Sequence, residues 1–118
     1  MTLKTNPPPP PPSNEDLAFI EALKRSKLAL RCTSMSLMCA EGAHNARQSL
    51  ERQALLLGFA NGLTDAGHNL ARQSDEIAAN PDQVQTAIQT YDQTEKTVDA
   101  LLAHAQNVLH PPDPDKKH

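Results

Sequence analysis

The chain has no tryptophan, one tyrosine and two phenylalanines, so it lacks the large rings that usually dominate cores and stack on bases. Valine and isoleucine are sparse and only four glycines are present, which leaves little material for a sheet. No stretch approaches the roughly eighteen consecutive apolar residues that suggest a membrane span. The N-terminus shows neither the apolar centre of a signal peptide nor the arginines of an amphipathic transit sequence. A cytoplasmic or nuclear location is therefore expected, where two cysteines are most simply reduced thiols.

Chemical signatures are equally scarce. No glycine-rich phosphate loop, Gly-x-Ser-x-Gly turn, His-Glu-x-x-His pair or paired Glu-x-x-His element occurs. The five histidines, His44, His68, His104, His110 and His118, are scattered. The expectation is a protein that is not an enzyme and carries no cofactor.

What is abundant is alanine, leucine, glutamine, glutamate and arginine. These residues lose little freedom in a helix, and they predict an all-α fold. Of ten prolines, six are consecutive at Pro7–Pro12, three fall at Pro111, Pro112 and Pro114, and Pro81 alone interrupts the interior. The chain thus divides into a disordered polyproline leader (residues 1–13), a helical bundle or coiled-coil domain (14–110) and a disordered tail (111–118). As a polyproline II rod, Pro7–Pro12 spans ~19 Å. It reads as a spacer, or as a ligand for SH3, WW, EVH1 or profilin-type domains.

Helix boundaries follow from capping chemistry. Ser13 or Asn14 opens a first helix, with Glu15 and Asp16 in the favourable first turn. Leu17, Ile20, Leu23 or Lys24, and Leu28 give its apolar spacing, which continues through Cys32, Met35 and Cys39. Asn45 followed by Gln48 resembles a capping box, so a hairpin bend is expected at Ala40–Asn45. A seam alternating by four and three runs on through Leu56, Ala60, Leu63, Gly67, Leu70, Ser74 and Ile77, which leaves one long helix as the alternative. Asn80-Pro81 ends the segment. A last stripe then follows: Val84, Ile88, Tyr91, Glu95, Val98, Leu102, Ala105 and Leu109. The predicted helices are 14–40, 44–79 and 82–110. They form a three-helix up-down bundle, or a long helical hairpin with coiled-coil packing. The middle helix is the longest of the three in this reading, so part of its seam lacks a partner within the chain.

Three local patterns carry sharper readings. Cys32, Met35, Met38 and Cys39 place soft sulfur on one stretch of helix, as Cu(I) prefers. The plainer reading is a core of adaptable apolar groups, since no paired Cys-x-x-Cys spacing or nearby histidine accompanies them. From Lys24 to Arg52 there are six basic and two acidic residues, whereas Asp75 to Asp115 holds eight acidic residues and one lysine. With no aromatic platforms and a net charge of −3, the basic stretch Lys24, Arg25, Lys27, Arg31 points to pairing with the acidic half and not to nucleic acid. The tetrapeptide Ala-Arg-Gln-Ser occurs at Ala46–Ser49 and Ala71–Ser74. The 25-residue offset is about seven helical turns, so an unbroken helix would show both copies on one face.

The Tyr91-x-x-x-Glu95 spacing resembles the C-terminal tyrosine–acidic motif of the small helical-hairpin cargoes of type VII secretion. Those proteins also carry Trp-x-Gly at the hairpin turn. The nearest stretch in this chain, Phe59-Ala60-Asn61-Gly62, has no tryptophan and a different spacing.

Three functional expectations follow. The first is a non-enzymatic helical interaction module, a structural or adaptor subunit of an assembly or an oligomer. Its seam is expected at Leu56, Leu63, Leu70, Ile77, Val84, Ile88, Tyr91, Val98, Leu102 and Leu109. The second is a secretion cargo or helical secretion chaperone, and the third a copper binder. Partners are expected to be proteins, a second copy of the chain among them.

Overall fold

The computed structural model describes residues 7–111; the leader's first six residues and the tail from residue 112 lie outside them. The described part of the proline run, Pro7–Pro12, is solvent-exposed and belongs to no helix. Three α-helices follow among the described residues: α1 (Asn14–Asn45), α2 (Leu50–Ala79) and α3 (Val84–Leu109), with a short 3-10 turn at Pro81–Gln83 before α3. The described structure is all-helical.

Each boundary has a chemical cause. Ser13 Oγ accepts a hydrogen bond from the Asp16 amide at 3.1 Å, satisfying one of the orphan donors at the start of α1. Ser49 Oγ does the same for the Arg52 amide at 3.2 Å and opens α2. The Asn80 side chain donates to the Glu76 carbonyl at 3.0 Å as α2 ends, and Pro81 begins the 3-10 turn. At the far end of α3, the Arg52 guanidinium donates to the carbonyls of Val108 (2.9 Å) and Leu109 (3.0 Å). Two of the last unpaired carbonyls are thereby closed by a cation, the favourable charge at a helix C-terminus.

The first bend differs from the expected one. α1 continues through Ala40 and Gly42 to Asn45, and the connection is residues 46–49. Ser49, not Asn45, is the working cap. The helices are accordingly 32, 30 and 26 residues long. The middle helix is not the longest, and the unpartnered excess expected of it does not exist. The repeated tetrapeptide also splits. Ala46–Ser49 forms the hairpin connection and Ala71–Ser74 lies within α2, because only the second copy has continuous helix on both sides.

The chain runs up, down and up. α2 returns along α1, with Ser74 Oγ donating to the Ala22 carbonyl at 2.8 Å and lying 2.9 Å from Ser26 Oγ. Midway, Ser36 Oγ donates to the Ala60 carbonyl at 2.7 Å. α3 runs parallel to α1, as the Arg25–Ala87 contact near one end and the Arg31–Asp99 pair (3.1 Å) further along show. The α1/α2 interface is the tightest because its residues are small: Ala18, Ala22, Cys32, Cys39 and Ala43 from α1 meet Ala60, Gly67 and Ser74 from α2. A Cβ placed on Gly67 would lie 3.3 Å from Thr33 Oγ1 and 3.4 Å from the Ala29 carbonyl. Gly42 likewise leaves room for the Leu109 methyl, which a Cβ there would meet at 2.7 Å. Leu28, Leu56, Leu63, Leu70, Val98, Leu102 and Ala105 complete the core.

Close packing by alanine reverses the expected face at the start of α1. Ala18, Glu21, Ala22 and Arg25 are buried there, and Ile20 and Leu23 point outward. The alanines let the helices approach closely, and Glu21 and Arg25 enter the same face as an ion pair, which leaves Ile20 and Leu23 on the outside.

Candidate interaction surface

The expected seam divides by position. Leu56, Leu63, Leu70, Val84, Val98 and Leu102 are buried inside the bundle; Ile77, Tyr91 and Leu109 are half-buried; Ile88 is exposed. Glu95, the polar interruption of the last stripe, accepts a hydrogen bond from Tyr91 Oη at 3.1 Å. Burial and that neighbouring carboxylate raise the Tyr91 phenol above its ordinary value. Lys24 Nζ sits 4.8 Å from the centroid of the Tyr91 ring, and Arg25 Cζ 5.4 Å. Tyr91 therefore fixes α3 to α1 through its ring, and its hydroxyl is taken up within its own helix.

The sulfur cluster is split as well. Cys32 and Cys39 are wholly buried, Met35 is half-buried and Met38 is exposed. Both thiols are free. Desolvation by burial raises both above the ordinary thiol value, partly offset at Cys32 by the Arg31 charge. A protonated, buried thiol is a weak ligand and a weak nucleophile. Among the described residues no three His, Cys, Asp or Glu side chains converge as a metal site. His44, His68, His104 and His110 are exposed, and His118 lies outside the described residues.

A buried ion pair went unread in the sequence. Arg25 and Glu21 are 2 % and 3 % exposed. The guanidinium contacts Glu21 Oε1 at 3.5 Å, donates to Gln73 Oε1 at 3.3 Å and to the Ala87 carbonyl at 2.9 Å, and so ties all three helices together. Lys24 supplies a second contact to Glu21 at 2.9 Å. Arg25 forms the floor of an open cleft flanked by Gln73, Glu76, Asn80, Thr86 and Thr90. Every guanidinium nitrogen is already engaged with protein atoms, so Arg25 offers no unpaired nitrogen to a ligand in the cleft.

One apolar surface that the bundle does not use lies on the outside of α1; Leu50, Leu55 and Leu57 of α2 are exposed as well. Phe19, Leu30 and Leu37 are each 68 % exposed, and Leu23 is 44 % exposed. At about 100° per residue these four fall within roughly 40° of one another, on a stripe ~27 Å long. The stripe lies roughly 140° around the helix from the centre of the buried face. Ile20 and Met38, also exposed, widen it on one side. Beside Met38 the stripe opens into a groove between α1 and α3, where Leu30, Ser34 and Met35 form the walls with Leu102. α1 therefore has two apolar faces, a narrow one of small residues against α2 and α3 and an outer one of large residues against water. Scattered exposed leucines are ordinary, but a continuous line of them on one helix face is not. The signal in the sequence was the seven-residue spacing of Leu23, Leu30 and Leu37. It was hidden by the better-known four–three seam through Leu28, Cys32 and Cys39.

No helix among the described residues is long and apolar enough to cross a membrane. Compared with family models, curated proteins and solved structures, the chain matches none of them.

Proposed function

We propose that the protein is a non-enzymatic helical interaction module, a structural or adaptor subunit that accepts another helix against the outer stripe of α1 in coiled-coil fashion. One observation carries this reading: Phe19, Leu23, Leu30 and Leu37 align on the face of α1 opposite the core and remain open to solvent. An amphipathic helix docking there would follow the leucine spacing, the usual way a helix lies along an apolar stripe. The rest of the molecule serves as a platform. Its core and its buried Arg25–Glu21 pair back α1, which is ~48 Å long at 1.5 Å per residue.

The test is a photo-crosslinking amino acid at position 30 of the full chain, expressed in the native source, with the same group at position 93 as control. Gln93 is exposed and lies on α3. Position 30 is expected to yield a defined polypeptide adduct, with position 93 giving none. Equal labelling at the two positions, or none at position 30, removes the reading.

A further inference from the structure

We infer that the helix received by the outer stripe of α1 is α1 of a second copy, lying antiparallel. This inference rests on the interaction-module reading above and names its occupant.

The argument is one of register and charge. Leu23, Leu30 and Leu37 recur every seven residues, and Lys27, Ser34 and Glu41 run beside them with the same period, all exposed. In a parallel pairing in register, Lys27 would lie against Lys27 and Glu41 against Glu41, two repulsive layers in a short seam. Turning one helix round removes both. Let the two copies cross at residue 32, so that each Leu30 is level with Ser34 of the other copy. The six leucines then interleave along the seam. Lys27 comes within about 6 Å, along the axis, of Glu41 of the second copy. By symmetry this attraction occurs twice, and the small Ser34 sits near the axis where the helices approach. Phe19 of each copy reaches the hairpin end of the other, the end at which Leu50 is left 78 % exposed.

The area is of the right order. The stripe with Ile20 and Met38 exposes on the order of 500 Å² of apolar side chain, near the upper range for the largest patch of a monomer. Two copies together would cover about 1,000 Å² before the polar rim is counted, the lower bound for a specific interface. An interface at this lower bound belongs to the weak, transient class, so dimerisation is looked for from micromolar concentrations upward.

Sedimentation equilibrium of the full chain decides the matter, with circular dichroism to confirm that each variant keeps its helices. The wild-type chain is expected at twice its 12.8 kDa mass at tens of micromolar. Leu30→Glu should weaken dimerisation at least a hundredfold. Lys27→Glu should weaken it about tenfold, and the exchange Lys27→Glu with Glu41→Lys should restore it to within about threefold of wild type. A wild type that stays monomeric at several hundred micromolar overturns the second copy as occupant. So does a dimer indifferent to Leu30→Glu. An exchange variant no better than Lys27→Glu alone overturns the antiparallel register. If the wild type is monomeric while position 30 still crosslinks to a foreign chain, this inference falls and the interaction-module reading stands. If position 30 crosslinks to nothing, both fall.

Discussion

Arg25 Nη2 donates a 2.9 Å hydrogen bond to the carbonyl oxygen of Ala87 in the first turn of α3. The same guanidinium lies 3.5 Å from Glu21 Oε1, the one buried side-chain oxygen among the described residues without a hydrogen bond of its own. A charge held this deep depends on its neighbours. Breaking such a pair is more harmful than replacing it whole.

Arg25→Ala should therefore destabilise the bundle by ~3–5 kcal/mol, because Glu21 is left buried and its charge is opposed only by Lys24. The double replacement Glu21→Met, Arg25→Met should lose much less, and a small gain is compatible with the same physics. Urea unfolding of the three proteins gives the comparison. Equal losses in the single and double variants would show that the polar contacts to Gln73 and Ala87, not the ion pair, carry the stability.

The four glycines separate into two classes by what surrounds them. A Cβ on Gly58 or Gly62 would meet nothing within 4 Å. Gly58→Ala and Gly62→Ala should each raise stability by ~0.5–1 kcal/mol through helix propensity. Gly67→Leu should do the reverse, by ~1–3 kcal/mol, since it forces α2 away from Ala29 and Thr33. Thermal melts of the three variants check the ordering, and a neutral Gly67→Leu would mean that α1 and α2 are not so closely packed.

Much of the architecture was legible because punctuation in the sequence is strong where it exists. Ser13, Asn80-Pro81 and Pro111 bracket the helical stretch within a residue or two of the observed limits. The hairpin was misplaced because Asn45 and Gln48 carry the spacing of a capping box, whereas the side chain that caps α2 is Ser49, four residues further on. Arg25 was read with Lys24, Lys27 and Arg31 as one basic stretch that pairs with the acidic half of the chain. Of the four, Arg31 does reach α3, at Asp99, through a half-exposed pair, whereas Arg25 is buried. Nothing in local spacing separates those two fates, which depend on Gln73 and Ala87 arriving from elsewhere in the chain. The outer stripe was missed for a related reason. A helix with two apolar faces offers two candidate seams, and spacing alone does not distinguish the one that goes inside.

The thiols set an alkaline limit. Burial raises Cys32 and Cys39 above the ordinary value of 9.0, and Tyr91 above 10.0. In each case the folded state holds its proton more tightly than the unfolded chain. The stability so contributed is complete below pH 9 and is lost as pH rises through the folded-state values. Stability measured by urea midpoint should fall above about pH 9, and the Cys32→Ala, Cys39→Ala variant should show a shallower fall beginning nearer pH 10. At pH 8 the wild-type thiols should alkylate slowly until denaturant is added. Rapid labelling of the folded protein would place at least one of them in contact with solvent.

Leu102 provides the decisive comparison on α3. It is buried at 8 % exposure and packs into the core with Leu56 and Val98, while its rim borders the groove beside Leu30 and Met35. Leu102→Asp introduces a carboxylate with no partner into that apolar layer. The penalty is of the same order as the whole stability of a small domain, about 5–15 kcal/mol. α3 should then detach or the bundle should unfold. Gln93→Asp, on the exposed side of the same helix, exchanges one solvated group for another and loses only a 3.5 Å contact with Thr97. It should change stability by less than about 0.5 kcal/mol. Hydrogen exchange read across Val84–Leu109 distinguishes the two, with protection lost throughout α3 in Leu102→Asp and retained in Gln93→Asp. Matching protection in both variants would mean that α3 is not held by this face.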